Sequence, residues 1–293
     1  MDELRIAKYN GTGNDFVLIE DMDERVSLDG ALIAAICDRH RGVGADGLIR
    51  VTGAPDGDFF MDYYNADGRA AQMCGNGIRC LAKLVYETGL TEKRDLAVST
   101  RAGLKHVTLL VEDGRVDRVV VDMGAPSLKR GDLPMEGDPG SEFLGEPVEV
   151  DGRSFKGSAV SMGNPHLVLF VDTDPSALEV DVLGPRLETD PRFPEGTNVE
   201  FVAAMDPGLV VRVWERGVGE TMACGTGACA SLVAAHLAGL VDARAQVRFP
   251  GGILDIDWRR DGGGSVFMTG GVERSFEGVL DATWLRSRVG AAS

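Results

Sequence analysis

The sequence predicts an α+β protein of two homologous, pseudo-symmetric domains, each a β-rich sheet or barrel wrapped around a central helix. Three observations predict this fold class. The 293 residues suffice for about two domains. Short motifs recur 150 positions apart without a gap. Strand-like segments dominate and few helices alternate with them, which disfavours a doubly wound parallel sheet.

The repeat starts at matching Gly-Asn pairs. The segment GNDFVLIED at Gly13–Asp21 aligns with GNPHLVLFV at Gly163–Val171, and CGNG at Cys74–Gly77 aligns with CGTG at Cys224–Gly227. Several matches in one register indicate an internal duplication, and the period is far too long for a solenoid.

Each half shows the same order of elements. A short strand follows the Gly-Asn pair (FVLIE and HLVLFV), and a second strand-like segment precedes the cysteine motif (FFMDYY and LVVRVW). The cysteine motif opens a helix in each half, IRCLAKLVYETGL and ACASLVAAHLAGL. Both end at Gly-Leu, a signal of helix termination, and the second is apolar enough to be buried within its own domain. Late strands with a turn near Asp-Gly follow.

The duplication predicts the domain boundaries. We expect a first domain over residues 1–124, completed by the C-terminal segment 275–293, and a second over 125–274. The stretch from Gly124 to Asp151 is rich in Pro and Gly and marks the boundary between them.

Charge and composition exclude some classes of partner. The net charge of −16 disfavours binding to nucleic acid or to an anionic membrane surface, which both need a basic face. The start, MDELRIAKYN, has no apolar signal-peptide core, and no segment is apolar enough to span a bilayer. Five cysteines form no dense disulfide framework, so we expect a cytoplasmic protein.

A cysteine at a helix start has special chemistry. The first turn presents unpaired N–H groups and about half a positive charge, which can bind a carboxylate. The same field lowers the pKa of a thiol below its free value of about 8.5. Glycines at positions 75, 77, 225 and 227 leave the backbone accessible to a ligand.

The duplication predicts that two such thiols act together. If the like domains face each other, Cys74 and Cys224 lie on opposite sides of one cleft. One thiolate can remove a proton from a carbon and the other thiol can return one to the opposite face, which inverts a stereocentre. A single such cysteine would more often be a small buried hydrophobe. Cys37, Cys80 and Cys229 lack the setting and are assigned to core packing.

No cofactor or metal is expected. The cysteine spacings lack CxxC, and the chain has only four histidines. There is no P-loop, and GTGNDF lacks the remainder of a dinucleotide fingerprint.

Together the motifs resemble the diaminopimelate epimerase family. They are GTGNDFV, RHRGVGADG, NADG, CGNGIRC, SMGNPH, GTNVEF, ERGVGET, ACGTGAC and FPGG, and they extend from Gly11 to about Gly271. The resemblance implies a cofactor-independent interconversion of LL- and meso-2,6-diaminopimelate, on the path to lysine and peptidoglycan. It also implies two pseudo-symmetric α/β domains that close on a small amino-acid substrate, and a homodimer.

The resemblance further implies roles for particular residues. Cys74 and Cys224 are the acid–base pair, and His166 and Glu215 tune the two thiols. One position departs from some members: Gly47 stands where those carry a Gln that touches substrate. The residues expected to bind substrate are Asn14, Asn65, Gly75, Asn76, Asn164, Asn198, Glu215, Arg216, Gly225 and Thr226.

Two other interpretations remain open at this point. The chain could be a related two-cysteine racemase or epimerase for another amino acid, although proline racemases usually lack an Asn such as Asn76 in the first motif. It could also be a non-catalytic amino-acid-binding protein of the same fold. Loss of either cysteine would have favoured binding alone, and both are present.

Overall fold

A computed structural model describes residues 3–288, and these fall into two compact units. The first comprises the described chain up to Val121 and again from Gly270, and the second extends from Asp122 to Thr269. The divisions predicted from the sequence follow residues 124 and 274. Residues 1–2 and 289–293, which the sequence assigns to the first domain, lie outside the described residues.

The first unit opens with two strands and a short helix and continues as a mixed sheet. Its elements up to the division are β1 (Leu4–Gly11), β2 (Asn14–Glu20), α1 (Gly30–Cys37), β3 (Gly47–Thr52), β4 (Phe59–Asn65), α2 (Gly75–Glu87), β5 (Asp95–Thr100), β6 (Gly103–Glu112) and β7 (Arg115–Asp122).

The second unit repeats this order, and two final elements return to the first unit. The elements are β8 (Glu146–Val150), β9 (Arg153–Ser161), β10 (Pro165–Phe170), α3 (Val180–Glu188), β11 (Asn198–Met205), β12 (Gly208–Glu215), β13 (Gly219–Thr221), α4 (Gly225–Leu237), β14 (Arg244–Phe249), β15 (Gly252–Trp258), β16 (Val266–Gly271), β17 (Glu273–Leu280) and α5 (Ala282–Arg288).

Strand pairing shows the duplication in three dimensions. In the first unit β1–β2, β3–β4 and β5–β6 are antiparallel, whereas β2–β3 and β4–β5 are parallel. In the second unit β9–β10, β11–β12 and β14–β15 are antiparallel, whereas β10–β11 and β12–β14 are parallel. An outer strand completes each set, since β17 pairs with β1 and β8 pairs with β9. The predicted α+β class is confirmed.

One helix is central to each unit. Helix α2 contacts β1, β2, β3 and β6, and α4 contacts β9–β12, β14 and β15. Both have 13 residues, and most side chains on both are buried. Each is followed by a glycine with positive φ, 79° at Gly89 and 72° at Gly239, as the Gly-Leu signal predicted. Within residues 3–288, no helix has both the length and the apolar character that a membrane span requires.

The Pro- and Gly-rich stretch after Gly124 lies mostly within the second unit. Leu133, Met135, Phe143 and Val148 are buried in that unit's hydrophobic core, beside side chains of β9–β11. The stretch therefore packs as part of one unit, because its spaced apolar residues bury surface despite the turn-forming residues between them.

Candidate active site

Each central helix begins at a cysteine whose sulfur caps it. The Gly77 N–H donates to Cys74 Sγ at 3.5 Å, and the Gly227 N–H donates to Cys224 Sγ at 3.4 Å. Both cysteines have extended backbone conformations, as N-cap residues do. The predicted helix starts are therefore present, and each thiol lies within the positive end of a buried helix.

The second glycine of each motif is required by packing. A Cβ atom on Gly77 would lie 2.8 Å from Ile49 Cδ1, and one on Gly227 would lie 2.6 Å from Glu200 Oε1. At these two positions the absence of a side chain makes room for the protein's own atoms. The sequence predicts instead that all four glycines leave the backbone accessible to a ligand.

Cys74 belongs to a polar chain inside the first unit. Its thiol donates to Asn14 Oδ1 at 3.5 Å, and the Asn76 amide donates to the same oxygen at 3.5 Å. Arg79 donates to Asn76 Oδ1 at 3.1 Å and to Thr12 Oγ1 at 2.7 Å. Two residues predicted to bind substrate, Asn14 and Asn76, are thus held beside the first thiol.

Arg79 is a cation in this polar chain that was not predicted from the sequence. It is fully buried on α2. Burial lowers its pKa to about 10, so the guanidinium stays charged at neutral pH. The negative forms of Cys80 and Cys74 act in the opposite direction. The signal was available within CGNGIRC, because a charged residue on a helix that is otherwise buried needs a reason to be there.

Asn65 ends β4 and is oriented by a neighbouring phenol. The Tyr63 hydroxyl donates to Asn65 Oδ1 at 2.9 Å. Asn65 pairs with Gly47 across β3 and β4. A Cβ on Gly47 would lie 2.6 Å from the Tyr64 carbonyl oxygen and 2.7 Å from the Tyr63 ring. The local packing thus requires the glycine that departs from some family members.

Cys224 belongs to a longer polar chain in the second unit. Its sulfur lies 3.4 Å from Thr226 Oγ1, and the Asn164 amide donates to that hydroxyl at 3.3 Å. His166 Nε2 lies 3.1 Å from Asn164 Oδ1, and His166 Nδ1 lies 2.6 Å from Glu200 Oε1. Asn164, His166 and Thr226, all predicted from sequence, therefore meet at the second thiol. Glu200 was not predicted.

The Glu215 carboxylate also lies near the second thiol, that of Cys224. Thr221 donates to its Oε1 at 2.5 Å. Burial raises the pKa of Glu215, while hydrogen bonds from Thr221 and Cys224 lower it.

The lowered pKa expected of a thiol at a helix start is wrong for Cys224. Burial raises its pKa well above the ordinary value, and the nearby carboxylates of Glu215 and Glu200 raise it further. The hydrogen bonds from Thr226 and Gly227 act in the opposite direction but are outweighed. Desolvation disfavours the thiolate more than the helix end stabilises it.

Arg216 lies just after β12 with its guanidinium exposed to solvent. Its backbone N–H donates to Asn198 Oδ1 at 2.9 Å, and Asn198 Nδ2 donates to the Pro165 carbonyl at 2.8 Å. Arg216 Nη1 donates to the carbonyls of Glu195 and Gly196 at 3.1 and 3.3 Å. Among the described residues no carboxylate forms an ion pair with Arg216, so its positive charge can pair with an anionic ligand.

Gly75 and Gly225 are the first residues of α2 and α4, directly after the two thiols. Their backbone N–H groups are among those that a helix leaves without internal partners. In the described part of the chain, no three His, Cys, Asp or Glu side chains converge as ligands of a metal ion would.

Solved structures of other proteins share this fold. A PhzF-family phenazine biosynthesis protein from Bacillus anthracis superposes with a TM-score of 0.69 at 17% identity, over 96% of this chain and 99% of that one. A hydroxyproline epimerase from Agrobacterium vitis superposes with a TM-score of 0.68 at 16% identity, over 96% and 91%. At such low identity these likenesses establish the fold alone.

Sequence similarity is more specific. The family described as diaminopimelate epimerase matches residues 6–129 and 158–275. A diaminopimelate epimerase from Pelotomaculum thermopropionicum is 48% identical over 278 residues, covering 94% of this chain and 98% of that one. The chain belongs to the diaminopimelate epimerase family, a family of isomerases.

The raised pKa of Cys224 can be measured in a Cys74→Ser variant. Its alkylation rate with iodoacetamide, followed by peptide mass spectrometry, should increase with pH to a midpoint above the ordinary cysteine value of about 8.5. Adding Glu215→Gln should move that midpoint to lower pH, because a negative charge beside the thiol is removed. Glu220→Gln, at an exposed carboxylate paired with Arg212, should leave it unchanged. A midpoint at or below 8.5, or one insensitive to Glu215→Gln, would contradict this assignment.

Proposed function

We propose that this chain is a cofactor-independent epimerase that interconverts LL- and meso-2,6-diaminopimelate, in the formation of lysine and peptidoglycan precursors. The observation that carries the proposal is the pair of N-capping cysteines, Cys74 and Cys224, at equivalent positions of a duplicated fold in a chain of this family. Relatives of 41–48% identity over most of this chain bear the name diaminopimelate epimerase.

The proposed reaction needs one acid and one base. One cysteine thiolate removes the proton from Cα, and the electron pair of the broken C–H bond delocalises into the adjacent carboxylate. The other cysteine thiol then delivers its proton to the opposite face of Cα. The C–H bond is thus re-formed with inverted configuration, the two sulfurs exchange protonation states, and proton exchange with solvent restores them.

The α-proton of an amino acid is weakly acidic, so the negative charge that develops must be stabilised. The N–H groups at the starts of α2 and α4 are fixed in place by the helices and supply partial positive charge. Gly75 and Gly225 contribute the first of these groups, with the side chains of Asn14, Asn76 and Thr226 beside them.

The surroundings of the two thiols suggest which one is charged at rest. The buried Arg79 cation, bound to Asn76, favours negative charge on Cys74. Burial and two carboxylates raise the pKa of Cys224 and favour its neutral thiol. Cys224 is therefore assigned as the acid and Cys74 as the base, which acts once its thiol has lost the proton that it donates to Asn14 Oδ1 in this structure. His166 and Glu215 are assigned to tune the second thiol.

The distal amino-acid head of diaminopimelate would select the substrate. Arg216 is assigned to its carboxylate, because the guanidinium has no carboxylate partner among the described residues. Asn198 holds the Arg216 backbone and keeps a second amide hydrogen for the ligand. Glu215 would face an ammonium group, and Asn65 and Asn164 add polar contacts.

We also propose a homodimer located in the cytoplasm. Among the described residues none of the five cysteines forms a disulfide, which suits a reducing compartment and a mechanism that needs thiols. On β17, Phe276 and Val279 are 48% and 53% exposed, and we assign this strand to the dimer interface.

Each catalytic cysteine should be essential on its own. Cys74→Ser and Cys224→Ser should each reduce epimerisation by roughly 10²- to 10⁴-fold, the contribution typical of one positioned acid or base. Deuterium uptake at Cα of LL-diaminopimelate, measured by NMR in D₂O, reports the reaction directly. Cys37→Ala, at a buried thiol away from both helix starts, should keep nearly full activity. Near-normal turnover by either Ser variant would remove that cysteine from the mechanism.

Arg216 should determine preference for diaminopimelate. A site built for a polar group rejects a ligand that lacks it, so lysine, which has no distal carboxylate, should react slower by roughly four powers of ten. Arg216→Ala should lower kcat/KM for diaminopimelate by about 100-fold, because the distal contact also orients the reacting carbon. Arg153→Ala, at an exposed pair with Glu179, is the control. Comparable turnover of lysine would instead favour a racemase of broader specificity.

The dimer should be visible in the molar mass. Light scattering after size-exclusion chromatography should give twice the chain mass of 31.2 kDa. Phe276→Glu should shift the population to monomer by placing a charge at the assigned interface on β17, whereas Val182→Glu on α3, 43% exposed in the native chain, should not. A wild-type protein that is monomeric at micromolar concentration would exclude the proposal.

A further inference from the structure

The second unit contains a histidine–carboxylate pair with no exposure to solvent. His166 and Glu200 are both 0% exposed, and Nδ1 of the ring lies 2.6 Å from Oε1 of the carboxylate. The two lie on the adjacent parallel strands β10 and β11, where His166 is level with Asn198 and Glu200 follows two residues later on the same face. The pair therefore lies under the start of α4.

The Glu200 carboxylate forms its hydrogen bond with the His166 ring through one oxygen. Glu200 Oε2 is buried and has no hydrogen-bond partner among the described residues. Oε1 reaches so close to Gly227 that any side chain there would overlap it. An incompletely satisfied buried carboxylate is costly, so its retention next to the capped thiol needs a reason beyond packing.

The fold itself does not require the pair. In the first unit the equivalent positions are Phe16 and Ile49. Phe16 is level with Gly47 as His166 is level with Asn198, and Ile49 follows two residues later. Ile49 lies beside Gly77 as Glu200 lies beside Gly227. The same strand order therefore forms without a histidine or a carboxylate at these positions, and the pair belongs to the chemistry of one thiol only.

Donor and acceptor assignments constrain the protonation of the ring. Glu200, as a carboxylate, accepts a proton-bearing Nδ1. On the other side Asn164 presents Oδ1 to Nε2 at 3.1 Å, because its amide nitrogen donates to Thr226 Oγ1 at 3.3 Å. For the Nε2 contact to be a hydrogen bond, Nε2 must also carry a proton. The Thr226 hydroxyl hydrogen is then directed to Cys224 Sγ, 3.4 Å away.

We propose that Glu200 is a positioning residue, which holds His166 in its doubly protonated form and thereby fixes the chain from Asn164 through Thr226 to Cys224. Without the carboxylate charge, the ring loses a proton, the Asn164 amide can reverse, and Thr226 no longer directs its hydroxyl hydrogen to the sulfur. The other ionisable groups around this chain are Glu215 on β12 and Cys224 on α4. The kinetic part of the proposal depends on the epimerase function proposed above.

The ring protonation can be tested independently of activity. In protein labelled with ¹⁵N-histidine, His166 is assigned among the four histidines with a His166→Asn variant. At pH 7.5 both of its ring nitrogens should show protonated shifts in the wild type, and Glu200→Gln should convert the ring to a neutral form. A neutral His166 in the wild type, or an unchanged ring in Glu200→Gln, would overturn the proposal.

Kinetics separate positioning from structural support. Glu200→Gln should lower kcat for deuterium incorporation into diaminopimelate by roughly 10- to 100-fold, with KM nearly unchanged. Losses of this size are typical when a group that orients a functional side chain is removed. Asp190→Asn, which removes a carboxylate from the Asp190–Arg192 pair in the same unit, is the matched control and should keep kcat. Thermal unfolding by circular dichroism identifies any variant that fails to fold, and Glu200→Asp then serves as the second variant.

The outcomes distinguish the two proposals. A wild-type enzyme without activity on diaminopimelate would refute the proposed function, while the NMR result would still decide the state of His166. A purely structural role for Glu200 predicts a lower unfolding temperature with unchanged kcat and ring protonation. That result would overturn the positioning role.

Discussion

The capping of a buried helix by a cysteine is the constraint on which the rest of each unit depends. A helix leaves the N–H groups of its first turn without partners inside the helix, and Cys74 and Cys224 each accept one of these through sulfur. The cap fixes each thiol at the positive end of the helix. It also requires Gly77 and Gly227 at the third helical position, because strand side chains fill the space beside them. Fold and reactive group are thus specified by the same few residues.

Duplication produced two equivalent positions, and the neighbouring residues made them chemically unequal. Around Cys74 the buried charge is the Arg79 guanidinium, whereas around Cys224 the buried groups are two carboxylates and His166. An acid–base pair benefits from such a difference, because one sulfur must be charged while the other holds a proton. In the proposed mechanism the two equivalent positions supply the two sulfurs, and the different surroundings of those sulfurs supply their distinct roles.

The sequence identified most of the candidate site because its residues lie within short motifs. Asn14, Asn76 and Cys74 are joined by hydrogen bonds, as are Asn164, His166, Thr226 and Cys224. Two buried charged residues were missed, Arg79 and Glu200. Arg79 stands in a quoted motif, and Glu200 lies on a strand whose pattern is otherwise apolar. A charge in such a setting is a signal, but the sequence does not show which group it contacts.

The sequence by itself determined the duplicated fold, the central helices and their two cysteine caps, because repeats, apolar periodicity and glycine stops are local properties of the chain. Only the tertiary structure decided the environment of each sulfur. The pKa of Cys224 is raised, against the expectation from its helix start, because burial removes water and because the carboxylates of Glu215 on β12 and Glu200 on β11 lie nearby. The local sequence pattern shows which ionisable groups a segment carries. Their desolvation and the charges around them depend on distances between segments, and only the folded chain sets those distances.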